Sequence, residues 1–166
     1  MSYEEKLERI SDLMSNPNLI LEIENCVSPY SIIFNVDSLY YDFEDYYMAV
    51  GFFDEESAIF NFSMETVPQY ISQMNIDRNK FDITDEELTI ITAIYLSKEL
   101  KKIWVRKKGM NYADEYSRDK ENIERYGTKT RAYNRGYDKY QIDNSPSTFE
   151  FSEYVCEYLQ NNSKSR

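Results

Sequence analysis

The side chains best supplied to do chemistry in this chain are its carboxylates, because their usual collaborators are missing. The sequence holds 30 Asp and Glu but no His. Imidazole is the commonest general base and a leading metal ligand. No Ser–His or Cys–His pair can be assembled. Two cysteines, Cys26 and Cys156, without histidine do not make a zinc site. Four glycines fit neither a phosphate loop nor a dinucleotide fingerprint. Acids at Asp42, Glu44 and Asp45, at Asp54, Glu55 and Glu56, and at Asp82, Asp85, Glu86 and Glu87 carry the oxygens that Mg²⁺ and Ca²⁺ take. None has the EF-hand spacing. Glu99-Leu100-Lys101, a nuclease-like fragment, falls in a helical stretch rather than on a strand. A nucleophilic tyrosine needs a base or metal beside it, and the sequence marks none. These acids are read as solvated turn and helix-start groups. No metal, cofactor or catalytic residue is expected, and the chain is read as a non-enzyme.

Charge is distributed unevenly. Residues 1–97 hold 19 acidic and 4 basic residues, whereas residues 98–140 hold 13 basic and 7 acidic. Such asymmetry points to a charged partner rather than to a fold. Solubility alone accounts for an acidic half. So does imitation of nucleic-acid phosphates, which would draw a protein with a Lys- and Arg-lined groove. On that reading the contact face is Asp42, Glu44, Asp45, Asp54, Glu55, Glu56, Asp82, Asp85 and Glu86. The basic segment offers Trp104, Arg106, Lys107, Lys108, Arg131, Tyr133, Arg135, Tyr137 and Lys139 as a second contact. If residues 131–140 were extended, Arg131, Tyr133, Arg135, Tyr137 and Lys139 would point one way, toward phosphates and bases. The tyrosines could equally cover apolar surface.

The elements that must position these groups read as an α+β domain. Ser2 with Glu5 opens an amphipathic helix over residues 3–15, ended by Asn16-Pro17-Asn18. Period-two alternation over Leu19–Ile23, Ile32–Val36, Tyr46–Phe52 and Ala58–Met64 predicts an antiparallel sheet of about four strands within residues 19–64. Thr66 with Pro68 predicts a short helix. The organising element is a long central helix, residues 85–108. Its capping box is Thr84 with Glu87, and Gly109 is its expected stop. Asn111 is expected to open a further helix to Tyr126. Residues 127–144 read as a polar, tyrosine-rich loop or irregular hairpin. Ser147 with Glu150 opens a C-terminal helix that docks on the core. The expected organisation is an acidic α+β core (1–110), a basic helix-and-loop appendage (111–146) and the docking helix (147–160), in one domain overall. Without a targeting signal the chain is expected in the cytoplasm, with two buried thiols.

This character resembles, in composition, the small inhibitors that bacteriophages and mobile elements direct at host defence nucleases, including anti-CRISPR and anti-restriction proteins. The resemblance implies a non-enzymatic protein that binds and blocks a basic, nucleic-acid-handling partner in the host cytoplasm. Two other readings stay open. One is a nucleic-acid-binding accessory protein acting through residues 101–140. The other is an immunity protein or antitoxin that neutralises a basic toxin.

Overall fold

A computed structural model describes residues 2–50, 54–144 and 152–164. These residues form two compact units, Met1–Leu100 with Glu150–Arg166, and Lys101–Phe149.

The first unit is helical, which overturns the expected sheet. Helix α1 spans Tyr3–Met14 and α2 spans Pro17–Cys26. Two-residue strands follow, β1 (Val27–Ser28) and β2 (Phe34–Asn35), paired in parallel. Helix α3 is Val36–Val50, α4 is Glu55–Thr66, α5 is the short Arg78–Phe81, α6 begins at Asp85, and α9 is Ser152–Lys164.

The reason lies in which apolar residues are buried. Leu19 and Ile23 are fully buried, but Leu21, which would share their strand face, is 57% exposed. Four-residue spacing therefore governs this stretch. Asn16 caps the helix by accepting from the Asn18 and Leu19 N–H groups, with Pro17 in the first turn. The tripeptide that ends α1 thus also starts α2. In α3 the buried residues are Val36, Tyr40 and Phe43, while Met48 and Val50 face out. In α4 they are Ala58, Ile59, Phe62, Ser63 and Thr66 in a helical stripe, with Phe60 buried beside it against Tyr154 of α9. Asp54 caps α4 by accepting from Glu56 N–H. The aromatic richness that favours strands was overridden by caps and by packing. Thr66 ends α4 rather than capping a new helix, and Pro68 sits in a 3₁₀ turn, Val67–Gln69.

The buried face of α6 does organise this unit, from Leu88 to Leu100. Its capping box forms as expected: Glu87 N–H donates to Thr84 Oγ1 at 3.1 Å and Thr84 N–H to Glu87 Oε1 at 2.9 Å. Rings of α3 and α4 interlock, with Phe43 edge-on to Phe62 at 5.6 Å. Helix α9 docks through Val155 and Leu159, both buried. The capping residues expected for it, Ser147 and Glu150, lie outside the described residues. Cys26 and Cys156 are free and half-buried.

The second unit comprises the rest of α6, which ends at Tyr116, then α7 (Lys120–Tyr126) and α8 (Lys129–Asp143). Gly109 does not stop α6. It is buried in mid-helix, where a side chain would meet Gln141 Nε2 at 2.6 Å and Tyr140 at 3.2 Å. Its lack of a side chain leaves room for the end of the Gln141 side chain of α8. Asn111 accordingly lies inside α6, and Asp119 is the cap that opens α7. Gly127, in the left-handed region at φ 91°, ends α7. Residues 129–143 are helix, not loop. Thr128 starts them by accepting from Arg131 N–H at 3.1 Å.

Candidate protein-binding face

The carboxylates singled out from sequence separate into two kinds. Those at the start of α6 are held within the first unit. Asp85 pairs with Arg78 at 2.9 Å, Glu86 with Lys6 at 3.7 Å and Glu87 with Arg9 at 3.0 Å. Arg9 also reaches the Asp82 carboxylate at 3.4 Å and donates to the Asp82 carbonyl. Arg78 further donates to the carbonyls of Ile71, Met74 and Ile76. These ion pairs join α1 and the connector before α6 to its N-terminus. Asp54 is likewise structural: beside its cap, it accepts from the Tyr154 hydroxyl at 2.8 Å. Burial first, and this bond second, hold the Tyr154 phenol above its ordinary range. Glu55 and Glu56 are half-buried in the first turn of α4.

The acids of α3 are different. Asp37, Asp42 and Asp45 are exposed and none is in an ion pair among the described residues. Glu44 is half-buried and, after burial itself, is the main group that pushes the Tyr40 phenol up. Asp37, Tyr41, Asp45 and Met48 recur at helical spacing on the outward side of α3. Tyr41 is 58% exposed and Met48 is 80% exposed. One large apolar group, Tyr41, therefore stands between carboxylates, and a second, Met48, follows Asp45 on the same face.

The neighbouring segment repeats the pairing. From Ile10 to Asp77 the chain has 12 acidic residues and not one Lys or Arg. Of the eight large apolar side chains that stand exposed among the described residues, six lie in this stretch: Leu21, Tyr30, Ile32, Tyr41, Met48 and Val50. Tyr30 and Ile32, 95% and 101% exposed, sit on the turn between β1 and β2. That turn is tied by its own bonds. Ser28 Oγ accepts from Tyr30 N–H, Ser31 Oγ from Ile33 and Phe34 N–H, and Asn35 Nδ2 donates to the Pro29 carbonyl at 2.7 Å. The two apolar tips are thus held out by an ordered backbone. Sequence reasoning missed all six of these apolar residues, assigning Leu21, Ile32, Met48 and Val50 to strand faces. The signal available was the long absence of Lys and Arg.

The basic segment also sorts differently from its expectation. Trp104 is 4% exposed, so it belongs to packing; Lys108 Nζ lies 4.7 Å from its ring centroid. Arg106 and Lys108 are exposed and Lys107 is half-buried. As a helix, α8 does not point residues 131–139 one way. It places Arg131, Arg135 and Lys139 on an exposed ridge and turns Tyr133 and Tyr137 aside, half-buried. Tyr112 lies 5.6 Å from Tyr140 and 5.9 Å from Tyr116. The Tyr116 and Tyr126 hydroxyls meet at 3.2 Å. That bond raises one phenol and lowers the other: Tyr116 sits above its ordinary value, and Tyr126 below it, with Arg125 and Arg135 adding to the second effect.

Among the described residues no group of His, Cys, Asp and Glu is arranged to hold a metal ion, and no helix is long and apolar enough to cross a membrane. A cleft lined by Lys6, Ile10, Glu86, Ile90 and Leu159 has about 170 Å³, below the roughly 300 Å³ at which small-molecule sites begin. Comparison with protein-family models, with curated proteins and with solved structures returns no match to this chain.

Proposed function

We propose that this chain is a non-enzymatic binding protein that covers a cationic surface of a nucleic-acid-handling host protein and blocks it, in the manner of anti-CRISPR and anti-restriction inhibitors. The observation that carries the reading is the outward face of α3. Tyr41 stands exposed between Asp37 and Asp45, and Met48 stands exposed one turn beyond Asp45, in a stretch free of Lys and Arg. Protein interfaces combine apolar anchors with a polar rim, and complementary charge speeds encounter and excludes wrong partners. A face that is acidic and apolar at once suits a basic protein better than it suits water. The ordered turn bearing Tyr30 and Ile32 supports the same reading, because a contact already held in place loses less freedom on binding.

The test is inhibition of purified CRISPR effector and restriction nucleases in cleavage assays. The expected result is block of at least one enzyme, relieved by raised salt and by Asp37→Lys with Asp45→Lys. Block that those reversals leave intact would sink the reading.

A further inference from the structure

Helix α8 puts cations where the sequence alone, read as extended, would have mixed them with rings. Arg131, Arg135 and Lys139 follow one another at four-residue intervals, all exposed. At about 1.5 Å per residue the ridge runs roughly 12 Å. None of the three is in an ion pair among the described residues. Arg135 is positioned as well as exposed: its guanidinium carbon lies 5.9 Å from the Tyr126 ring centroid, a cation–π distance. Arg125 stands beside the same phenol. Two further cations, Lys129 and Arg125, flank the Gly127 turn that joins α7 to α8. The unit as a whole carries 12 basic and 7 acidic residues, against 7 basic and 23 acidic in the other.

From this arrangement we propose a second binding site, distinct from the α3 face: the ridge Arg131–Arg135–Lys139, with Arg125, takes the phosphate backbone of nucleic acid. At 3.4 Å per nucleotide along one strand, a 12 Å ridge spans about three or four phosphates. Recognition is of charge and not of sequence, because two of the tyrosines that would stack bases, Tyr137 and Tyr140, are engaged within the unit. Tyr137 lies against Gly109, and Tyr140 against Tyr112. A membrane surface fits the ridge less well. Amphipathic membrane helices bury a broad apolar face, whereas here Ala132 and Gly136 are packed inward and Ile142 is the one large apolar residue exposed on α8. Asp138 is exposed on the ridge face too, between the cations, and weakens it.

The experiment is fluorescence anisotropy of labelled single-stranded RNA, single-stranded DNA and duplex DNA with the full chain across a salt series, beside vesicles containing phosphatidylserine. Expected is binding in the range of about 10⁻⁴ to 10⁻⁶ M that falls with salt, the logarithmic slope becoming shallower by about 0.9 for each cation removed on duplex DNA. Arg131→Gln with Arg135→Gln and Lys139→Gln should weaken binding at least tenfold at 50 mM salt, with an unchanged circular-dichroism melt. Asp138→Asn should tighten it. No binding at low salt overturns the proposal. So does binding indifferent to both sets of variants, or preference for the vesicles. None of these outcomes bears on the α3 face, which these substitutions leave untouched.

Discussion

Asp54 and Tyr154, 100 residues apart in the chain, meet through a 2.8 Å hydrogen bond in which the phenol donates to Asp54 Oδ2. The same carboxylate caps α4 through Oδ1. One side chain thus starts a helix and receives another, α9, whose Tyr154 ring stacks on Phe60 at 6.0 Å. Replacing Asp54 with Ala removes cap and receptor together, so a loss of about 1–2 kcal/mol is expected, or roughly 2–8 °C in melting temperature. Tyr154→Phe keeps the ring and should cost less than half as much. Calorimetry of both variants checks the order; equal losses would mean that the cap contributes little.

Ser63 and Ser97 are both fully buried, with Oγ atoms 2.9 Å apart. Ser63 donates to the Ile59 carbonyl at 2.8 Å, and the single Ser97 hydroxyl proton faces both Ser63 Oγ and the Ala93 carbonyl, the latter at 2.7 Å. Ser97→Ala leaves Ser63 with a partner and should cost only about 1 kcal/mol. Ser97→Val adds bulk where α4 crosses α6 and should cost about 1–3 kcal/mol. Denaturant midpoints of the two variants separate hydrogen bonding from packing.

The two buried glycines of the second unit make opposite predictions. A side chain at Gly136 would lie 2.9 Å from Cβ, Cγ and Cδ1 of Tyr116, atoms that cannot swing aside. Gly136→Ala should therefore destabilise by about 1–3 kcal/mol, despite a helix-propensity gain near 1 kcal/mol. At Gly109 the closest atom is the end of the Gln141 side chain, which can move. Gly109→Ala should be close to neutral. Hydrogen exchange of amides in α7 and α8 reads both.

With no histidine in the chain, stability should change little between about pH 6 and pH 9. At alkaline pH the tyrosines decide. Tyr40 and Tyr154 have phenols raised above their ordinary value by burial and by nearby carboxylates. The folded state holds those protons more tightly than the unfolded one. Their stabilisation is complete below the unfolded value near 10 and is lost as pH climbs above it. Melting temperatures should fall from about pH 10 upward, and Tyr40→Phe should flatten that fall. A Tyr40→Phe melt with the same alkaline slope would contradict the assignment.

How much of this was legible beforehand follows from the kind of signal. Caps are local chemistry, so Ser2 and Thr84 with Glu87 act where the sequence placed them. The sheet failed because every other residue of an apolar-rich helix also makes a period-two series. Only burial, as at Leu21 and Met48, tells the two apart. Gly109 misled because a glycine that stops a helix and one that admits a neighbouring helix look alike until the neighbour is known. For the site, the acidity was readable. Which acids are held by Arg9, Lys6 and Arg78 was not, since those pairs join segments up to 80 residues apart. The exposed apolar groups were invisible because sequence does not say which large side chains the core leaves out.

The central claim is that the α3 face is the working surface. It is tested most directly by affinity capture from host cells with three proteins side by side: the unaltered chain, Tyr41→Ser with Met48→Ser, and Asp37→Lys with Asp45→Lys. The account predicts a basic, nucleic-acid-handling protein with the unaltered chain. Its affinity in titration should fall at least about 30-fold in each double variant, the loss of one interface anchor of about 2 kcal/mol. A partner set and affinity unchanged in both variants would contradict it.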